Sequence, residues 1–203
     1  MPILGTIASS RLVAPQGVQA FESIQTVTVA SGTSTSLTFS SIPSWAKHLR
    51  IMGTPLSNYT NTGTGESGWA IYLNGDSGSG AWVGHQIQGN GATTSRGWSG
   101  ASLNAFILCS MPWYNTNSLG SAIRNPVVID FFDAKNTTKA KALRYFAGFS
   151  NRTTGTNQRS YTATGAWNST SAITSITLDA TSTYADGPFA TYTTFTLYGM
   201  RDQ

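Results

Sequence analysis

Titratable side chains are scarce in this chain, and their spacing limits the chemistry open to it. Its 203 residues hold 8 Asp and Glu, 12 Lys and Arg, 2 His and 1 Cys. Acid–base catalysis needs such groups to converge on one reacting atom. Glu66 and Asp76 flank the apolar run Trp69–Leu73 and could meet only across a loop. Two carboxylates at a defined separation are the machinery of glycoside cleavage, although solvated loop acids are the plainer reading of this pair. Asp130 and Asp133 stand three positions apart, so a continuous strand sends them to opposite faces. His48, predicted on a solvent-facing strand surface, and His85 have no His-x-x-x-His or Asp-x-Asp neighbour and make a poor ligand set for a metal. Cys109 lies in the apolar run Ala105–Cys109 and reads as a buried thiol. Alone it forms neither an intrachain disulfide nor a cysteine-based zinc site. No Gly-x-Ser-x-Gly elbow occurs, and Gly89-Asn-Gly-Ala92 is a turn that opens no helix, which removes a phosphate cradle. The expectation is no enzyme, no metal and no cofactor.

Charge narrows the partners as well. The net charge is +4 and the isoelectric point about 9.4, but the one tight basic cluster is Lys135, Lys139, Lys141 and Arg144. Nucleic-acid binders carry denser basic stripes, because affinity follows the number of phosphates neutralised. No apolar run approaches the roughly 18 residues of a membrane span. Met1–Ser10 lacks both the basic region and the apolar length of a secretion signal. Four Asn-x-Ser/Thr sequons begin at Asn58, Asn136, Asn151 and Asn168; 54 of 203 residues are Ser or Thr, so such triplets arise by composition.

The aromatic residues carry more information. Trp69, Trp82 and Trp167 fall in strand-like runs and read as core. Tyr59, Trp98, Trp113 and Tyr114 sit among Gly, Asn, Ser and Thr, in predicted loops. Flat apolar rings beside side-chain amides suit contact with a receptor or a sister subunit. Rings that fold back to cap the ends of the fold are the simpler alternative.

These groups must be positioned by strands. With 21 Gly, 7 Pro, abundant Thr and only 10% charged residues, the composition is turn-rich and helix-poor. About ten strands emerge, separated by polar turns such as Asn74-Gly75. Lys47–Met52 alternates, placing Leu49 and Ile51 on one face and His48 and Arg50 on the other. Leu103–Cys109 and Val127–Phe132 are nearly continuous apolar runs and predict central, fully covered strands. Ala142–Phe149 reads as a strand from its context, with a helix over Thr138–Ala147 as the competing reading. The tracts 57–68, 76–80, 89–102 and 115–121 read as surface loops. The expected fold is an all-β antiparallel two-sheet sandwich, jelly-roll-like, over residues 21–203. Residues 1–20 precede it as an extended arm whose apolar side chains, Ile3, Leu4 and Ile7, dock elsewhere.

Four ordered passages then stand out. They are Pro2-Ile-Leu-Gly-Thr-Ile-Ala-Ser-Ser10, Phe21-Glu-Ser-Ile-Gln-Thr-Val-Thr-Val29, and Leu37-Thr-Phe-Ser-Ser-Ile-Pro43 leading to Lys47-His-Leu-Arg-Ile51. The fourth is Ala172-Ile-Thr-Ser-Ile-Thr-Leu178 with Phe195-Thr-Leu-Tyr-Gly199. Together they resemble tailed-bacteriophage virion structural proteins, often described as tail fibre proteins. Residues 53 to 125 match nothing in that family and are where a binding specificity would sit. The resemblance implies a non-enzymatic virion component, assembled in the host cytoplasm and commonly a homotrimer. It makes Pro2, Ile3, Leu4 and Ile7 a docking segment for capsid, tail or fibre partners, with a host surface glycan as an expected ligand. A capsid decoration protein is the neighbouring alternative. A tailspike depolymerase using Glu66 and Asp76 is the distant one.

Overall fold

The structure is a computed structural model, and it describes residues 21–59, 66–89, 95–112, 125–149, 159–180 and 187–201. Alternating burial, period two, governs its strands. In β4 (His48–Thr54) Leu49 and Ile51 are buried while His48 and Arg50 are half-exposed, as the alternation requires. Eight strands form a large antiparallel sheet. Their order is β1 (Phe21–Thr28), β14 (Thr194–Met200), β4, β9 (Val127–Phe132), β10 (Lys141–Phe149), β11 (Arg159–Trp167), β6 (Trp82–Gly89) and β7 (Ser95–Leu103). Four more form a second sheet, in the order β3 (Ser36–Phe39), β12 (Ile176–Asp179), β5 (Glu66–Leu73) and β8 (Phe106–Pro112). Two-residue strands β2 (Thr33–Ser34) and β13 (Phe189–Ala190) pair as a short ribbon. The fold is all-β, and the described residues include no helix long and apolar enough to cross a membrane.

The inner faces of the two sheets meet in one core. Trp69 of β5 packs on Phe195 of β14 at 5.4 Å between ring centroids, and Trp82 of β6 on Phe106 of β8 at 6.0 Å. Burying each ring is worth on the order of 2 kcal/mol. Trp69, Trp82 and Trp167 are all buried, as their strand positions predict. Trp167 Nε1 donates to Asp76 at 2.7 Å, whereas the indole nitrogens of Trp69 and Trp82 find no acceptor among the described residues. The abundance of threonine also has a structural reason. Paired hydroxyls meet across strands at Thr26–Thr196, Thr28–Thr194 and Thr38–Thr177.

Several expectations change. Residues 95–102 are not loop but belong to β7, paired to β6 from Gly89–Ser95 to Trp82–Leu103, and residues 66–68 belong to β5; small residues hide strand character from a hydrophobicity pattern. Leu103–Cys109 is not one strand: Leu103 ends β7 and Phe106 opens β8. β8 is the edge of the small sheet rather than a central strand. β9 is central, yet its outer face is open, and Phe132 is 37% exposed. The reading of Ala142–Phe149 as a strand stands, as β10.

Register defines two poles. At one, β1 begins at Phe21, next to Met200, which pairs in turn with His48. There the connections span two to eight residues, and the eight-residue ones are hydrogen-bonded. Asn74 and Gly75, at φ 53° and 71°, form a tight turn closed by Asp76 N–H donating to Leu73 O. Asn74 Oδ1 accepts from the backbone of Thr174 and Ser175. At the other pole lie Tyr59, Glu66, Gly89, Ser95, Pro112, Asn125, Phe149, Arg159 and Gly187. These residues bound the segments 60–65, 90–94, 113–124, 150–158 and 181–186.

Close backbone approach at Phe106 gives a first prediction. A Cβ at Gly165 would stand 2.2 Å from the Phe106 ring and 2.7 Å from Val83 O, whereas one at Gly148 meets nothing within 4 Å. Gly165→Ala is expected to lose about 2 kcal/mol of stability, and Gly148→Ala less than about 0.5 kcal/mol. Urea unfolding midpoints of the two variants check this.

Candidate functional site

The small sheet covers one face of the large sheet and leaves the other open. Cross-strand register lays the open face out in rows. One row runs Tyr198, Arg50, Asp130, Arg144, Thr164, His85. Beside it runs Met52, Val128, Phe146, Thr162, Ile87, and on the other side Phe132, Ala142, Ala166, Val83. Met52, Phe146 and Ile87 are 43%, 44% and 52% exposed. A charged row therefore lies between two rows of exposed apolar side chains.

Asp130 is the centre of that face. Its side chain is 3% exposed, and both oxygens are engaged: Arg50 donates Nε to Oδ1 at 2.5 Å and an Nη to Oδ2 at 3.1 Å, and Arg144 donates Nε to Oδ2 at 2.8 Å. Burial opposes ionisation of Asp130, but the hydrogen bonds and charges of the two guanidiniums outweigh it and hold the carboxyl below its ordinary range. The same contact raises Arg50. The Arg144 guanidinium lies 5.6 Å from the ring centroids of both Phe132 and Phe146.

Asp133 does not face away from this cluster as a continuous strand would require. β9 ends at Phe132 and Asp133 takes φ 50°, which turns its carboxylate towards His48, 3.9 Å away, and into an ion pair with Lys139. The Lys139 hydrogen bond, more than any other cause, lowers the Asp133 pKa. His48 Nδ1 accepts from Asp133 N–H at 3.0 Å, and its ring meets Phe132 edge-on.

The other candidates are dispersed. Tyr59 is half-buried beside Gly187, its N–H donating to Ser57 Oγ at 3.1 Å. Trp98 stands in β7 in register with Gln86, not in a loop. Trp113, Tyr114, Pro2, Ile3, Leu4 and Ile7 lie outside the described residues. Glu66 and Asp76 sit at opposite ends of β5, a strand about 20 Å or more long. Asp76 is held by Trp167 and by Gly78 N–H. His85 is on the open face but separated from Arg144 by Thr164 in the row. Among the described residues no three His, Cys, Asp or Glu side chains are grouped to hold a metal ion.

Phe132, Phe146, Met52 and Ile87 were not singled out by residue type. The available signal was position: each occupies the polar parity of its strand, where Arg50, Arg144 and His85 also stand. No family model, no curated protein and no solved structure matches the chain.

The acid response follows from the two carboxylates. Their folded pKa values lie below the unfolded value of 3.8, so the unfolded chain takes up protons first as pH falls. Their contribution to stability is complete above about pH 5 and is lost as pH drops below 3.8 through the folded values. Asp130→Asn is expected to be less stable than the parent at pH 7, with the gap closing towards pH 3. Denaturant midpoints of both proteins across that range measure it.

Proposed function

We propose that this chain is a non-enzymatic structural component of a tailed-phage virion, an appendage anchored through residues 1–20. The opposite pole then faces the host surface. The observation that carries this reading is the division between poles. β1, which follows residues 1–20 in sequence, begins at the pole whose eight-residue connections are hydrogen-bonded. The longer connections, including the one that contains Trp113 and Tyr114, are bounded by residues of the other pole. A molecule fixed at one end and reading a surface at the other needs that arrangement.

A second pattern supports the resemblance to phage virion proteins. The passages that carry it supply β1, β14 and β4, consecutive in the large sheet, and β3 and β12, neighbours in the small one. The unmatched residues 53–125 supply β5, β6, β7 and β8, at the far side of both sheets. A shared framework and a separate variable side fit a family of adhesins that differ in target.

The neighbouring reading is a capsid decoration protein, and the exposed rows of the open face suit lateral clamping. Copy number separates the two. Quantitative mass spectrometry of purified particles is expected to find a few dozen copies or fewer, with labelled antibody at the tail. Hundreds of copies over the head would make it a decoration protein. A protein lacking residues 1–20 is expected to fold and to be absent from particles; its normal incorporation would remove the docking role of Pro2, Ile3, Leu4 and Ile7.

A further inference from the structure

We infer that the open face of the large sheet binds a saccharide bearing a carboxylate, with Arg144 as the anion-binding group and Phe132 and Phe146 as its flanking platforms. Arg144 is fixed before any ligand arrives. Its Nε is spent on Asp130, and its guanidinium lies between the two phenyl rings, 5.6 Å from each centroid. Neither of its Nη groups has a hydrogen-bond partner among the described residues, and the side chain is 45% exposed. A guanidinium held this way offers N–H groups in a planar fork that matches a carboxylate, and its ordering cost has already been met by the fold.

Charge selects the class of ligand. Arg50 and Arg144 share the single carboxylate of Asp130, two cations against one anion, which leaves a local charge of +1. Asp133 is neutralised by Lys139 and does not offset it. A neutral sugar can accept hydrogen bonds from the open donors but leaves the surplus charge unmatched, whereas a carboxylate supplies both acceptor and counter-charge. The rings supply the rest of the match. Phe132 and Phe146 are 37% and 44% exposed, and flat apolar rings pack against the C–H faces of pyranose units. The same rows bring hydroxyls within a strand spacing at Thr162 and Thr164. This assignment does not rest on the appendage reading, because it concerns the broad face and the isolated protein.

Titration of the full-length protein at low salt tests it, followed by NMR or calorimetry, with trigalacturonate and trimeric α2,8-linked sialic acid as probes. At least one is expected to bind, its affinity falling with added salt, and its carboxyl-reduced neutral counterpart to bind at least tenfold more weakly. Acetate alone is expected to bind far more weakly still, which separates a saccharide site from a bare anion site. Arg144→Gln is expected to weaken binding at least tenfold and Arg144→Lys less. Phe146→Ala leaves the Asp130 contacts in place and is expected to weaken binding several-fold, so a folding defect in the arginine variants does not decide the matter. Binding unchanged in Arg144→Gln and Phe146→Ala overturns the proposal. So does the absence of binding by both probes at millimolar concentration, including where copies of the chain associate and bury this face.

Discussion

The two sheets are tied together at one pole by ammonium groups that reach backbone carbonyls no apolar side chain could satisfy. Lys135, just after β9, donates to Ile42 O at 2.9 Å and to Ile173 O, which join the segments leaving β3 and entering β12. Lys141, 1% exposed, donates to Lys139 O and Thr170 O. Burial depresses the pKa of both lysines, a desolvation cost that these hydrogen bonds and, for Lys141, the Asp133 carboxylate offset. Asn74 donates Nδ2 to Ala172 O and Asp76 accepts from Trp167 Nε1, which tie the connection after β5 to the same pole. The core then aligns Trp82, Phe106 and Trp167 beneath it.

That economy explains how a chain with so few charges stays folded. The described acids and bases are mostly engaged: Asp130 with two arginines, Asp133 with Lys139, Glu22 with Arg201, whose guanidinium also lies 4.0 Å over Trp45. Solubility falls instead to the hydroxyls, which pair across strands and hydrate without demanding a counter-charge. Charge left over is then informative. The surplus on the open face is shared by Arg50 and Arg144 around Asp130, and the Arg144 guanidinium lies against two exposed aromatic rings.

Sequence reasoning reached the sandwich because period-two alternation is strong in β4 and β10, and because tryptophan marks the core. It missed β7, where Ser95-Arg-Gly-Trp-Ser-Gly100 has too little hydrophobic contrast to show a face. It also separated Asp130 from Asp133, since the left-handed φ at Asp133 leaves no mark in local composition. The open-face site was legible only as misplaced hydrophobics. Phe146 occupies the parity of Arg144, and joining it to Phe132 and Asp130 needs the order of strands, a property set by tertiary pairing rather than by any single segment.

Strand order also decides which surface is left for partners. An open sheet edge invites pairing with another chain unless something blunts it. Three of the register shifts along the sheets fall in the outermost pairs: β1 with β14 at Ser23/Gln25, β6 with β7 at Trp82/Gly84, and β5 with β8 at Ser67/Gly68. Such irregularities twist an edge out of register with a would-be neighbour. The interior pairs β4–β9, β9–β10 and β10–β11 run without one and keep their outer side chains in straight rows. Regularity holds where Arg50, Asp130, Arg144, Phe132 and Phe146 stand, and irregularity at three of the four sheet edges, β3 being the regular one. The proposed site thus lies on a face whose side chains are held in a lattice, set apart from edges whose irregularities oppose strand addition.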